Sequence, residues 1–269
     1  MAMMLGKRNQ LVQRIRILRR DRAERVRQAV FLAEGMHLCR EALTSGAGLE
    51  RVLYSAALNG TAEGRELLAD LGRAGAVLDE TSEAILDSLQ DARSPQPVLC
   101  VVRMKKTAFK DLLATRHRYP LVVVTHGIQE PGNLGTILRT AEAAGASGLI
   151  ATGRSADLHH PRTVRATMGS IFRLPAIHGG ELPDVVRRFG DEEFLRVAAE
   201  TGSGPAPASI DWNRPAALFL GPERGVLPEA SRSLMDTAVT IPMETGVDSL
   251  SVGAAAAVIL FAARGVRGG

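Results

Sequence analysis

Three short segments, far apart in the chain, carry residue types that could do chemistry. The first holds Asn133 and Arg139, the second holds Glu223 after a Gly-Pro pair, and the third holds Ser249 and Ser251. An amide, a guanidinium, a carboxylate and two hydroxyls can anchor a phosphate and stabilise charge that develops on a reacting oxygen. The first segment fits neither a P-loop nor a G-x-G-x-x-G pattern, so the common nucleotide-binding interpretations fail there.

Each of these side chains, taken alone, has an ordinary structural interpretation. Arg139 would be a helix-surface arginine, Glu223 a turn carboxylate and Asn133 a helix N-cap or turn residue. His159 and His160 are adjacent and lack the spacing of metal ligands, so no metal site is predicted. The functional interpretation therefore depends on the three segments occurring together.

The elements that must position these segments are apolar runs typical of buried strands. Leu121–Val124 precedes the first segment, Ala217–Leu220 the second and Ala238–Ile241 the third. A Pro/Gly-rich turn is predicted to lead from the first strand into a helix over Thr136–Ala144. Because an open parallel sheet binds its ligands at the C-terminal ends of its strands, the three segments are expected to meet there.

Strands alternate with helices along the chain, which predicts an α/β fold with a mostly parallel sheet. We expect a small αβ domain over residues 1–103, a charged connector over 104–119 and the sheet domain over 120–269. Asp248 or Ser249 is expected to cap the last helix, Val252–Ala263.

The composition excludes several classes of protein. Of 269 residues, 45% are hydrophobic and 23% are charged, which is ordinary for a globular protein. No apolar run is long enough to cross a bilayer, and no signal-peptide pattern begins the chain, so a cytoplasmic protein without a membrane partner is expected. Cys39 and Cys100 occur in no C-x-x-C, so neither a disulfide framework nor a zinc site is indicated.

Basic residues crowd the first thirty positions, opposed only by Asp21 and Glu24. A cluster of this kind is typical of a surface that binds nucleic-acid phosphates, although a solvated helix face is the alternative. Aromatic residues make up only 4% of the chain, so backbone charge and RNA shape should matter more than base stacking. Trp212 is expected to be a partly buried anchor and not a stacking platform. The predicted RNA contacts are Arg14, Arg16, Arg19, Arg20, Arg162 and Arg165.

Together the three segments resemble the SpoU (TrmH-like) class of the SPOUT superfamily, the RNA ribose 2′-O-methyltransferases. Asn133…Arg139 is similar to the first motif of that class, Gly221–Glu223 to the second and Ile241–Val252 to the third. The likeness covers residues 120–264 and includes an intermediate segment, His160–Gly169.

The N-terminal part carries a looser resemblance. Phe31–Gly35, followed by Glu41–Leu43, is similar to the L30e-like substrate-binding domain that precedes many members of the class. The full resemblance implies a trefoil-knotted C-terminal domain, bound S-adenosylmethionine, a ribosomal RNA substrate and a homodimer with its active site near the subunit interface. By position, it implies the catalytic residues Asn133, Arg139, Glu223 and Ser249. It also implies the cofactor-binding residues Thr201, Gly221, Ile241, Met243, Leu250 and Ser251.

Methyl transfer from a sulfonium to a ribose hydroxyl is an in-line displacement, so orientation supplies much of the acceleration. The hydroxyl must also lose its proton. The family assigns the role of base to Arg139. Because a neutral guanidine is costly, we favour Arg139 as the anchor of the adjacent phosphate and stabiliser of the attacking oxygen. Glu223 is expected to orient Arg139.

Two departures from the family pattern leave alternatives open. Ser251 stands where the family usually has Asn, and Gly225 follows Glu223 more closely than the commoner spacing. A non-catalytic RNA-binding or ribosome-assembly factor that keeps the fold is therefore one alternative. A tRNA 2′-O-methyltransferase is another, which the leading domain disfavours.

Overall fold

The computed structural model describes residues 5–91, 94, 96–115, 117–202, 204–223 and 225–268. The strands in chain order are β1 Val30–Glu34, β2 Leu49–Tyr54, β3 Val77–Glu80, β4 Val98–Arg103, β5 Leu121–His126, β6 Gly148–Thr152, β7 Ala176–His178, β8 Leu195–Ala199, β9 Ala216–Leu220 and β10 Thr237–Val239. The helices are α1 Gln10–Arg20, α2 Arg22–Gln28, α3 Met36–Thr44, α4 Ala56–Asn59, α5 Ala62–Arg73, α6 Glu83–Leu89, α7 Phe109–Leu113, α8 Pro131–Ala143, α9 Pro161–Ala166, α10 Ser170–Arg173, α11 Leu182–Asp191, α12 Glu229–Arg232 and α13 Val252–Val266. None of these helices combines the length and apolar character needed to span a membrane.

The chain divides into two compact units. The first contains the described part of residues 1–106 together with His159–Arg173, and the second contains residues 107–158 and 174–269. The sequence predicts contiguous domains, whereas the structure groups His159–Arg173 with the first unit. The physical reason is that Val164 is buried in the apolar core of that unit and Phe172 packs against the same core.

The first unit is a four-stranded sheet with helices on both faces. Its strand order is β1-β4-β2-β3, in which β4 runs antiparallel to both neighbours and β2 pairs with β3 in parallel. Alternate residues of β1 point to opposite faces, so Phe31 lies in the core with α3 and α5 while Leu32 lies in the core with α1 and α6. The two cysteines are free thiols buried on the α3 side.

The second unit holds the parallel sheet that the sequence predicts. Its six strands run in the order β10-β8-β9-β5-β6-β7, and every paired neighbour is parallel. The central strands β5, β6 and β9 are mostly apolar, and they are buried along their length except at His126, as expected for parallel strands covered on both faces. The predicted α/β class with a smaller N-terminal αβ part is therefore confirmed. The trefoil knot stays a prediction from the resemblance.

Three local expectations differ from the structure. Helix α8 begins at Pro131, not Thr136, because proline suits the first helical position and the Glu130 carboxylate accepts a hydrogen bond from the Gly132 N–H. Helix α13 is capped by Ser251, whose hydroxyl accepts from the Ala254 N–H at 3.3 Å, and not by Asp248 or Ser249. Trp212 is fully buried and its Nε1–H donates to the Pro207 carbonyl, so the expected partial exposure is wrong.

Candidate active site

The C-terminal ends of β5 and β9 bring the first two predicted motifs together. The strands are parallel neighbours, so the turns that follow them leave the same edge of the sheet. Glu223, in the turn after β9, accepts hydrogen bonds from the backbone N–H groups of Gln129 and Glu130, both at 3.4 Å. Its carboxylate also accepts from Nδ2 of Asn133 at 3.1 Å. Glu223 thus fixes both the start of α8 and the side-chain amide of Asn133.

Hydrogen bonding keeps the Glu223 carboxylate ionised. Burial is the largest single influence on its pKa and acts to raise it, but the bonds from Asn133 and from the N–H groups of Gln129, Glu130 and Glu223 itself together lower the pKa below its ordinary value. The negative charge lies beside the N-terminus of α8, where the helix dipole favours an anion. The turn is therefore held in place by interactions that need the ionised form.

Arg139 stands apart from this network. It is exposed on α8 and makes no hydrogen bond or ion pair with the residues that the structure describes. The expectation that Glu223 orients Arg139 is wrong, because the oxygens of Glu223 accept from Asn133 and the backbone instead. Arg139 consequently presents an unpaired guanidinium that a ligand could use.

A cavity of about 370 Å³ lies at the ends of β8 and β9. Its volume falls within the range of small-molecule sites, and its walls combine apolar and polar groups. The predicted site residues among its walls are Thr201, Gly221, Glu223, Ile241, Met243, Ser249 and Leu250. Asn133 and Arg139 are not among the lining residues, so Glu223 is the group that connects the cavity with the start of α8. Ser251 is also absent from the walls, since its hydroxyl caps α13.

The cavity has walls that the motifs do not reveal. Leu227 and Ile259 line it and are buried, and Glu200 adds a carboxylate. A Cβ built on Gly221 would lie 3.4 Å from the Leu227 N atom, so a glycine at this position preserves the space beside Leu227. The signal that could have indicated Ile259 is its place on the apolar stripe of the last helix.

The predicted RNA contacts in the first unit fall into two groups. Arg14 forms an ion pair with Glu50, and Arg19 donates to the carbonyls of Ser88 and Gln90 at 3.0 Å. Arg16 and Arg20, one turn apart on α1, make no hydrogen bond or ion pair with described residues. The second pair is therefore available to an external phosphate, whereas the first pair already serves the fold.

Arg162 and Arg165, also predicted RNA contacts, are paired within the first unit. Arg162 Nε lies 2.6 Å from a carboxylate oxygen of Asp91, and an Arg165 nitrogen lies 3.1 Å from Glu34 Oε2. Burial raises the pKa of Glu34, against the opposing effects of the Asp91 N–H and the Arg165 charge. Their contact with RNA stays a prediction.

The two adjacent histidines show no metal arrangement. The His159 ring packs against Phe31 with centroids 4.8 Å apart, and the His160 side chain caps α9. Among the described residues, no group of three or more His, Cys, Asp or Glu side chains could hold a metal ion.

A parallel sheet with a cofactor-sized cavity at its strand ends, bordered by a carboxylate that holds an amide, has the architecture of a SPOUT-type methylase. The chain belongs to the SpoU rRNA Methylase family, which matches residues 120–261. Residues 9–100 match the MRM3-like substrate binding domain. The family membership predicted from the motifs is thus confirmed.

Individual relatives are similar over nearly the whole chain. The 23S rRNA (uridine(2479)-2′-O)-methyltransferase of Streptomyces viridochromogenes is 31% identical, over 95% of this chain and 90% of its own length. The crystal structure of the SpoU methyltransferase AviRb from the same organism, in complex with the cofactor AdoMet, superposes with a TM-score of 0.84 at 29% identity, over 95% of this chain and 98% of its own. An AdoMet-bound rRNA methyltransferase from Sinorhizobium meliloti gives a TM-score of 0.84 at 28% identity, over 98% of this chain and 97% of its own.

Proposed function

We propose that this protein is an S-adenosylmethionine-dependent RNA 2′-O-ribose methyltransferase that acts on ribosomal RNA. The observation that carries the proposal is the cavity at the strand ends, joined through Glu223 to Asn133 and the start of α8. Relatives of similar length that are named as rRNA methyltransferases favour ribosomal RNA over tRNA.

The residues around the cavity fit the cofactor. Ile241, Met243 and Leu250 offer apolar side chains on a loop whose backbone groups can bond an adenine edge, and Gly221 leaves room beside them. The exposed carboxylate of Asp248, also in the walls, suits the cationic and hydroxyl groups of such a ligand, whereas that of Glu200 is already paired with Arg232. When bound, S-adenosylmethionine supplies an electrophilic methyl group on a sulfonium.

The acceptor side of the proposed site is the start of α8. Arg139, with no partner among the described residues, anchors the phosphate beside the target ribose and stabilises charge on the attacking oxygen. Asn133, fixed by Glu223, orients the ribose, and the exposed Ser249 hydroxyl lies at the cavity wall for the same purpose. These residues act by orientation and charge. As the 2′-oxygen bonds to the methyl carbon, the bond from that carbon to sulfur would break to leave a neutral thioether, and the hydroxyl proton would pass to solvent.

The proposed enzyme binds RNA through α1, forms a homodimer through α13 and acts in the cytoplasm. Arg16 and Arg20 on α1 bind RNA phosphates, since neither has a partner among the described residues. A homodimer is supported by the outer face of α13, where Val258 and Phe261 are about half exposed. A ribosomal RNA substrate also supports a cytoplasmic location.

Ser251 no longer favours a non-catalytic factor. Its structural task is to cap α13, and asparagine and serine cap helices about equally well. The replacement of the family's usual Asn therefore keeps the geometry of the loop that borders the cavity.

Incubation with methyl-labelled S-adenosylmethionine and separate pools of rRNA and tRNA tests the proposal. We expect label in rRNA, at a ribose whose 3′ phosphodiester has become resistant to alkali. Label only in tRNA would contradict the substrate. Tight cofactor binding by calorimetry with no transfer to any RNA would contradict the activity.

A further inference from the structure

Hydrogen bonds join the three loops that follow β5, β6 and β9, so these loops form one continuous surface next to the cavity. Glu223 ties the loop after β9 to the loop after β5, as described above. The loop after β5 is tied in turn to the loop after β6, because the Ile128 N–H donates to Ser155 Oγ at 3.2 Å and the Ala156 N–H donates to the Ile128 carbonyl at 2.7 Å. A surface fixed in this way is organised before a ligand arrives.

His126, the last residue of β5, lies half-buried on this surface, and its Nδ1 faces the Thr152 hydroxyl at 3.0 Å. The same hydroxyl lies 3.1 Å from the Thr125 carbonyl, and when it donates there its oxygen accepts from His126 Nδ1–H. Burial lowers the pKa of His126, against the charge of Glu181, and so favours the neutral ring. The neutral ring with its hydrogen on Nδ1 leaves Nε2 as an acceptor without a partner among the described residues.

Arg154 is exposed and directly follows the glycine against which this ring packs. It follows Gly153, where a Cβ would stand 2.6 Å from His126 Cε1, so the ring packs directly on the backbone that carries Arg154. Like Arg139, Arg154 forms no hydrogen bond or ion pair within the described part of the chain. A cation and a ring acceptor, each without a partner among the described residues, are thus carried by adjoining stretches of backbone.

The pair adjoins the proposed active site. A Cβ on Gly127, next to His126, would lie 3.4 Å from Pro222 Cβ, and Pro222 lines the cavity. The end of β5 therefore adjoins the wall of the cavity that Pro222 forms.

We infer that Arg154 and His126 hold the RNA next to the methylated nucleotide, Arg154 through a backbone phosphate and His126 Nε2 through a hydrogen bond from a base N–H or ribose hydroxyl. The inference rests on the proposed function, because it names the path of that function's substrate. It gives the methylase unit RNA contacts of its own, separate from those of α1.

Two matched pairs of variants test the inference in the full-length protein with total ribosomal RNA stripped of protein. Arg154→Ala should raise the apparent KM for RNA about 5- to 10-fold and reduce the salt dependence of RNA binding by about one ion, with the AdoMet Kd unchanged. Arg214→Ala removes an exposed arginine at the opposite end of the sheet and should leave all three quantities unchanged. His126→Asn keeps a donor toward Thr152 but loses the acceptor at the position of Nε2, so it should raise the KM for RNA. His126→Gln places an amide oxygen where Nε2 lies, so its KM for RNA should return toward the wild-type value.

Equal RNA affinity for Arg154→Ala and Arg214→Ala would overturn the contact of Arg154 with RNA. Equal KM values for His126→Asn and His126→Gln would overturn the contact of His126 with RNA. Retention of RNA on filters in the absence of AdoMet measures RNA binding without methyl transfer, so it tests the RNA contacts separately from the proposed function. Wild-type protein that transfers no methyl group would contradict the proposed function. Loss of retention in Arg154→Ala but not in Arg214→Ala would still support the RNA contact at Arg154.

Discussion

Glu34 and Glu223 occupy comparable places in the two units, yet their surroundings differ. Each carboxylate lies at or just after the C-terminal end of a strand and accepts backbone N–H groups from a loop. The Glu34 side chain is only 2% exposed and faces Arg165. Glu223 is exposed and accepts from an amide and two N–H groups, and it pairs with no cation among the residues that the structure describes. Burial raises the pKa of Glu34, and hydrogen bonding lowers that of Glu223.

The difference suggests a structural role for the Glu34 carboxylate and a role at a ligand site for the Glu223 carboxylate. In the first unit Glu34 is almost wholly enclosed, and Arg165 and the Asp91 N–H offset only part of the cost of burying its charge. In the second unit Glu223 holds a turn in its ionised form while remaining open to solvent beside a cavity. Variants of the first residue should therefore affect stability, and variants of the second should affect turnover.

Among variants of these two carboxylates, the largest expected effect is the loss of turnover in Glu223→Ala. Without the carboxylate, Asn133 and the start of α8 lose their common partner, and a shift of about 1 Å at a reacting group can cost about 100-fold in rate. Glu223→Gln keeps one acceptor oxygen and should lose less. Steady-state kinetics give kcat for both Glu223 variants. An unchanged kcat for Glu223→Ala would contradict the claim that Glu223 supports turnover.

Glu34→Ala should lower the free energy of unfolding by about 2 kcal/mol. The change leaves Arg165 and the Asp91 N–H without their acceptor, and removal of one partner from a buried pair is costly. Arg165 is partly exposed, so the loss is placed below the range for a fully buried pair. Denaturant unfolding gives the value, with Glu34→Gln as the isosteric control. A Glu34→Ala variant as stable as the wild type would show that the pair contributes nothing.

Ser251→Ala should cost about 1 kcal/mol of stability, because the Ala254 N–H loses its cap. Ser251→Asn should stay within a few tenths of a kcal/mol of the wild type and keep its activity. Thermal unfolding of the three proteins provides the comparison. Equal losses for the alanine and asparagine variants would contradict the capping role.

The smallest expected effect is a pair of opposite pH dependences. The ionised form of Glu223 contributes stability above its ordinary value of 4.5 that is lost as pH falls through the lowered pKa. The raised pKa of Glu34 has the opposite sign, so its contribution declines as pH rises from 4.5 through that pKa. The midpoint of unfolding should be measured from about pH 3 to pH 7. In a plot of midpoint against pH, Glu223→Gln should flatten the acidic part, and Glu34→Gln should flatten the part nearer neutral pH. The same change for both variants would contradict the assignment.

The sequence predicted the parallel sheet because its central strands are apolar runs. The motifs that follow those runs contain several of the residues that line the cavity, but Ser251 is not among them, and the roles of these residues stay predictions from the family resemblance. It could not show which arginines are already paired. Arg162 and Arg165 bond with Asp91 and Glu34, residues far away in the chain, and no local pattern encodes such partners. The expectation that Glu223 orients Arg139 failed for the same reason, since it depended on distances that motif spacing does not contain.

Single-turnover methyl transfer by Arg139→Ala tests the central claim most directly, since Arg139 is a charge on the acceptor side with no partner among the described residues. With labelled AdoMet and rRNA, we expect the rate to fall by about 100-fold or more, the size found for loss of a charge-stabilising donor, while calorimetry shows an unchanged AdoMet Kd. Arg139→Lys should recover part of the rate through its charge. Wild-type transfer at a ribose of rRNA with an undiminished rate in Arg139→Ala would contradict the account.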